Sequence, residues 1–237
     1  MIPEKIKQVL RKGCYFTFSN LSKIKTTFFS DTFIALGYFI KSEAEFNRSA
    51  ADIKKIDRYA LHDYLSCTYV NPGEKIHYLE FGVRWGHIIL KWALNNKNPG
   101  SIFTGFDTFT GLPEDWGSVK KGSFSNDGNI PKTDDSRTGF CVGLVQDTLP
   151  GYIKNWQRTD RLIINLDFDL YNATLFTLLS LQPLLKAGDI IILDEYFSIS
   201  KSHHEYRAFA DFLSIYKIQY KPLYKLRGGQ YVIEVMQ

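Results

Sequence analysis

The stretch YLEFGVRWGH, residues 78–87, decides the fold. An apolar run meets a carboxylate at Glu80. Two glycines, Gly82 and Gly86, follow, and then HIILKWALNN carries helical spacing. Strand, bare loop and helix in that order are the opening unit of an α/β sheet, in which ligands sit beyond the carboxyl ends of the strands. Glycines there let a ligand touch backbone, and the first turn of the helix offers free N–H groups to an anion.

Working outward, further short apolar runs repeat the pattern. KIHYLEFG, SIFTGFD, GFCVGLVQ, RLIINLD and DIIILDE are strand candidates, and most end in an acid or amide. Near-continuous apolar runs imply strands buried on both faces, hence a parallel sheet. Helical spacing fills the gaps: NATLFTLLSLQPLLKAG, with Asn172 or Thr174 as cap and Gly188 as terminator, and HHEYRAFADFLSIY. Right-handed crossovers then give a doubly wound, Rossmann-like sheet with helices on both faces. The end differs. IQYKPLYKL, Arg227-Gly228-Gly229 and QYVIEVMQ predict an antiparallel hairpin. The polar stretch from Pro113 to Thr138 has no period and reads as a long surface loop, of the kind that forms lids or binding elements.

Asn71-Pro72-Gly73 marks a boundary. Residues 1–72 read as an N-terminal helical arm and 73–237 as the α/β domain. EFNRSAADIKKIDRYALHDYLSCTYV puts Ile53, Ile56, Ala60, Leu61 and Tyr64 on one helical face. Ile2, Ile6, Val9 and Leu10 give the first residues helical spacing too, with two readings: docking on the domain, or on a membrane surface.

The 237 residues suit a sizeable core. A net charge of +4 with scattered Lys and Arg lacks the dense cluster of a nucleic-acid groove. Cys14, Cys67 and Cys141 form no C-x-x-C pair, so neither a disulfide framework nor a zinc site is expected, and a cytoplasmic location fits. No apolar run reaches the ~20 residues of a membrane span.

The second strand ends at Asp107, followed by Thr108, where a carboxylate can accept both hydroxyls of a ribose. The glycine pattern is Glu80-x-Gly82-x-x-x-Gly86, without the tight pyrophosphate turn of a dinucleotide site. It suits a ligand with an adenosine and no pyrophosphate, namely S-adenosylmethionine. Arg84 and His87 flank the loop. The competing reading is that Glu80 and Asp107 merely cap helices.

Acids recur at the next strand ends. INLDFDLY carries Asp167 and Asp169, and IILDEY carries Asp194 and Glu195. Parallel neighbours lie ~4.8 Å apart, so Asp167 and Asp194 should converge. Clustered carboxylates need a compensating cation, and oxygen donors suit Mg²⁺. Asp167, Asp194 and Glu195 are the candidate ligands; the alternative is that these acids cap helices or bind the cofactor. Asp169 is assigned a structural part, and His62 and His77 surface or packing parts. His203 and His204, at the start of a helix near the same mouth, are candidate general bases with Asp167.

Several motifs in order resemble the macrocin O-methyltransferase family, which methylates sugar hydroxyls: LEFGVRWG, GFDTFTGLPE, GLVQDTLP, LDFDLYNAT and PLLKAGDIIILDEY. The resemblance implies a seven-stranded methyltransferase sheet, mostly parallel, closed by the C-terminal hairpin. It implies that Glu80 and the Gly82–Gly86 loop hold the methionine part and Asp107 the ribose. Gly143, Gln146 and Asp147 would lie near the adenine, and Asp167, Asp194 and Glu195 would be magnesium ligands. Glu195 departs from the family, which often has Asp or Asn there. The expected activity is Mg-assisted O-methylation of a sugar-like small molecule, without nucleic acid or stable membrane insertion; a homo-oligomer is possible. The rivals are an NAD-type oxidoreductase on a related sheet and a non-catalytic cofactor-binding member.

Overall fold

The computed structural model describes residues 27–49, 51, 56–154, 156, 158–198 and 203–236. The chain divides into two compact units, Met1–Gly37 and Tyr38–Gln237. The sheet lies in the second. The periodic stretch with Ile2, Ile6, Val9 and Leu10, together with Cys14 and Ile53, lies outside the described residues.

Among the described residues seven strands form one sheet: β1 (Ile76–Phe81), β2 (Ile102–Asp107), β3 (Thr138–Val142), β4 (Arg161–Leu166), β5 (Ile190–Leu193), β6 (Tyr220–Lys225) and β7 (Tyr231–Val235). Their order is β3-β2-β1-β4-β5-β7-β6. The first five are mutually parallel; β7 runs antiparallel to both β5 and β6. The hairpin therefore inserts its last strand beside β5. All residues of β1 and β5 are buried, as continuous apolar runs between two helical layers should be.

Among the described residues the α-helices are α1 (Thr27–Arg48), α2 (Arg58–Thr68), α3 (His87–Asn95), α4 (Val145–Ile153), α5 (Tyr171–Leu181) and α6 (Glu205–Tyr216). Alternate strand residues feed separate cores. Leu79, Phe81, Ile164 and Leu193 pack with Leu149 of α4, Leu178 of α5 and Phe209 of α6. Tyr78, Phe103, Ile163 and Ile192 pack with Leu61 and Leu65 of α2 and Ile89 and Trp92 of α3.

Three local expectations change. The helical run from Glu45 to Val70 is broken, because α1 ends at Arg48 and Asp57 opens a new helix. Its carboxylate accepts the Ala60 N–H at 3.0 Å. The third strand stops at Val142, where its only partner β2 also ends. Gly143, at φ +137°, then turns the chain into α4. Helix α5 begins after Leu170 without a side-chain cap, so neither Asn172 nor Thr174 caps it. It gives way at Pro183 to a 3-10 turn, Gln182–Leu184, because proline cannot donate to the helix ladder.

His62 and His77 are buried packing residues. Trp92 Nε1 donates to His62 Nδ1 at 2.9 Å, and His77 Nε2 lies 2.6 Å from the Tyr152 hydroxyl. Burial pushes His62 down to about 3 and His77 down to about 4, so both imidazoles stay neutral.

Candidate active site

The carboxyl ends of β1, β2, β4 and β5 open into one cavity of about 530 Å³. Strand register sets its floor. Phe81 lies opposite Leu166, and Leu166 opposite Leu193, so Asp167 and Asp194 leave adjacent strands side by side. The ladder continues beyond the strands. Asp167 N–H donates to Phe81 O at 2.8 Å, and Asp194 N–H to Leu166 O at 3.2 Å.

Of the residues expected to bind cofactor, Gly82, Arg84, Asp107, Thr108, Gly143, Gln146 and Asp167 line this cavity. Asp194 and Glu195 line it too. Glu80, Gly86 and Asp147 do not, and neither do His203 and His204. Glu80 is buried beneath the glycine loop, where the Tyr78 hydroxyl donates to its Oε2 at 2.7 Å. Gly86 opens α3 at φ +77°, and a Cβ there would lie 2.8 Å from Pro131. Its bareness admits the long loop. His204 precedes α6, and its Nδ1 lies 3.4 Å from the Tyr171 N–H.

Asp107 is the keystone of the loop. Its Oδ2 accepts the N–H groups of Val83 and Arg84, each at 2.7 Å, and its Oδ1 accepts that of Phe109 at 2.7 Å. A carboxylate has about four acceptor sites, so one on Oδ1 remains for a ligand hydroxyl. Arg84, at φ +50°, sets its guanidinium 5.2 Å from the centre of the Phe124 ring.

Phe124 belongs to the stretch read as a surface loop. That loop is built. Leu112 N–H bonds Ser123 O at 2.9 Å, Gly122 N–H bonds Leu112 O at 2.9 Å, and Asn126 Nδ2 reaches Asn129 O and Arg84 O. Pro113, Glu114, Trp116 and Phe124 line the cavity. The aromatic pair Trp116 and Phe124 was the available sequence signal, since buried-sized aromatics are unusual in a polar loop.

The acid cluster holds a residue that the sequence reading missed. Arg58, the first residue of α2, pairs through Nη2 with Asp167 Oδ2 and through Nη1 with Asp194 Oδ2, the latter at 3.2 Å. Gln230 Nε2 donates to the other oxygen, Asp194 Oδ1, at 2.8 Å. Glu195 N–H donates to Glu205 Oε2 at 2.8 Å. Burial, reinforced by Asp194, pushes the Glu205 carboxyl well above the usual range. This donor set does not fit a magnesium ion, because the facing oxygens of Asp167 and Asp194 are already committed to one guanidinium. Among the described residues no cluster of three or more His, Cys, Asp or Glu side chains has a metal-holding arrangement. The cavity does fit an adenosine-bearing cofactor: Gly82 and Gly143 line it, and Asp107 keeps one acceptor site to spare.

Glu80 makes stability pH-dependent. Burial pushes its carboxyl up from 4.5 to about 8, against the opposing Tyr78 bond. The folded state then keeps a proton that the unfolded chain loses above the ordinary Glu range. The stability it contributes is full below about pH 4.5 and is lost as pH rises through about 8. Below about pH 6.5 the buried neutral His62 and His77 act in the opposite sense, so the fall is read above that range: the unfolding free energy in urea should drop by up to about 1.4 kcal/mol per pH unit between pH 7 and 8. Glu80→Gln should flatten that component; an identical slope in the variant would assign it elsewhere.

The strand order, with β7 antiparallel beside β5, is the Rossmann-like sheet of methyltransferases. CalS11, described as a calicheamicin methyltransferase, superposes with a TM-score of 0.59 at 20% identity, over 84% of this chain and 91% of that one. The O-methyltransferase NovP gives 0.58 at 16%, over 76% and 80%. An O-methyltransferase from Bacillus cereus in complex with SAH gives 0.50 at 16%, over 86% and 90%.

In sequence, residues 118–225 match the model of the macrocin-O-methyltransferase (TylF) family, so the chain resembles that family across its central and C-terminal part. A curated relative from Streptomyces olivaceus, 8-demethyl-8-(2,3-dimethoxy-alpha-L-rhamnosyl)-tetracenomycin-C 4'-O-methyltransferase, is 38% identical over 76 residues, 31% of this chain. The match spans 27% of that relative's length. Among the described residues no helix is long and apolar enough to cross a membrane.

Proposed function

We propose that this protein is an S-adenosylmethionine-dependent O-methyltransferase acting on a hydroxyl of a sugar or sugar-bearing small molecule. The observation that carries the reading is the single cavity at the strand ends. It joins a glycine loop tied to Asp107 with a separate acidic wall at Asp167 and Asp194. The tetracenomycin relative is named a 4'-O-methyltransferase of a rhamnosyl-bearing compound, which supports the acceptor class.

Gly82, Arg84, Asp107, Thr108, Gly143 and Gln146 would hold the cofactor. S-adenosylmethionine, when bound, supplies an electrophilic methyl group on a sulfonium. Asp107 would orient the ribose through its spare acceptor site. Residues 73–237 would carry this half, and the segment before them contributes Arg58 to the acceptor half. Trp116, Phe168 and Asn172, which also line the cavity, would wall the acceptor half, and Asp167 would take the hydroxyl proton on Oδ1, the oxygen that Arg58 leaves open. Alignment of a hydroxyl with the methyl carbon is the protein's main task.

Calorimetric titration with S-adenosylhomocysteine, with NAD as the comparison, tests the reading. Binding at micromolar concentrations by the homocysteine compound alone is expected. Binding of NAD alone would favour an oxidoreductase, and binding of neither a non-catalytic member.

A further inference from the structure

The acids at the ends of β4 and β5 raise a question of charge. Asp167 and Asp194 stand on neighbouring strands in a partly buried wall, with side chains only 15% and 6% exposed. Two carboxylates so placed repel unless a cation lies between them. Three basic residues precede the domain nearby in sequence, Lys54, Lys55 and Arg58. One of them is built into the position. Asp57 caps α2, which fixes Arg58 as its first residue, and Leu61 and Leu65 anchor the same helix in the core. The guanidinium then spans both acids.

We infer that Arg58 is the resident cation of this wall, and that its guanidinium keeps divalent metal out of the position between Asp167 and Asp194. The inference rests on the methyltransferase reading for the cavity's role, and on geometry alone for metal exclusion. A cation seated between the acids would compete with Arg58 for Oδ2 of each; Asp167 keeps its Oδ1 open, but one carboxylate oxygen does not make a site between the two. Asp194 cannot offer its other oxygen freely, since Gln230 donates to it. Arginine suits this place. It is always charged, and its planar fork can meet two carboxylates at once. Five N–H donors are more than two acids consume, and the side chain is 37% exposed in the cavity wall. The remaining donors are available to an acceptor oxygen, so Arg58 would orient the hydroxyl by hydrogen bonding.

The test is Mn²⁺ binding, read by electron paramagnetic resonance and calorimetry on the full chain and on Arg58→Met and Arg58→Lys. Methionine keeps the bulk and removes the charge; lysine keeps the charge. Wild type and Arg58→Lys should show no Mn²⁺ binding below about 1 mM, while Arg58→Met should bind at least about tenfold more tightly. Tight Mn²⁺ binding by the wild type would overturn the inference, whatever the variants do. It would also fall if folded Arg58→Met gained no affinity, or if Arg58→Lys bound Mn²⁺ as well as Arg58→Met. Thermal melting in chelator establishes which variants are folded, and should Arg58→Met not fold, the wild-type and lysine titrations still decide. S-adenosylhomocysteine titrated into the same samples reports separately on the methyltransferase reading. Loss of that binding in wild type with the Mn²⁺ pattern intact would sink the function and leave the Arg58 assignment standing.

Discussion

Gly82→Ala should lower the melting temperature by about 10 °C and weaken S-adenosylhomocysteine binding by on the order of 100-fold or more. A Cβ at this position would lie 2.0 Å from the Asp167 carbonyl oxygen and 2.7 Å from its carbon. The backbone is at φ +87°, where a side chain is strained before any contact is made. Neither side can retreat. Gly82 N–H is bound to Phe106 O at 3.0 Å, and Asp167 N–H to Phe81 O at 2.8 Å. The strain would pass into both the glycine loop and the acidic wall. Gly117→Ala is the control: its φ is also positive, but a Cβ there meets nothing within 4 Å. It should cost only about 1–2 kcal/mol. Equal melting temperatures for the two alanine variants would show that contact with Asp167 is not what constrains Gly82.

Asp107→Ala should be the most damaging change that leaves the core intact. Three backbone N–H groups, of Val83, Arg84 and Phe109, lose their acceptor together. Hydrogen bonds to a charged group contribute ~1.5–3 kcal/mol each, so losing even two weakens the ordered loop by a few kcal/mol. Calorimetry with S-adenosylhomocysteine should show affinity reduced by about 100-fold or more, with Asp107→Asn losing about tenfold. The asparagine keeps one acceptor oxygen and gives up the charge. Wild-type affinity in the alanine variant would detach Asp107 from ligand binding and leave it a purely local cap.

Much of the site was legible because its elements are written locally. Glu80, Asp107, Asp167 and Asp194 were found at strand ends because each closes an apolar run, and a buried strand can place a carboxylate only where it emerges. Gly82 stood out as bare backbone directly after the first strand, whereas Gly143 came only from the family resemblance. The two histidines His203 and His204 were marked by proximity in sequence to Asp194 and Glu195, yet neither lines the cavity. His204 instead precedes α6, close to the Tyr171 N–H. Gly86 looked like part of a ligand cradle, and its space is taken by Pro131. A glycine pattern states that something comes close; it does not state what.

Glu80 shows the same limit from another direction. Its place at the end of β1 was readable, but its depth was not. Whether a carboxylate at a strand end meets a ligand or a buried tyrosine depends on how the following loop folds over it. Here Tyr78, two residues earlier on the same face, supplies the hydroxyl and the loop closes above.

The sequence by itself determined the parallel sheet, the terminal hairpin and the row of acids at the strand ends. Those follow from periodicities of two and 3.6 and from where apolar runs stop, which involve only neighbours in the chain. Only the tertiary structure decided that Arg58 neutralises Asp167, 109 residues later, and that Trp116 and Phe124 of a polar loop line the cavity. The reason is that a buried charge must find an opposite charge in space. Which of several nearby basic residues supplies it is settled by how a helix docks, and no local pattern records that.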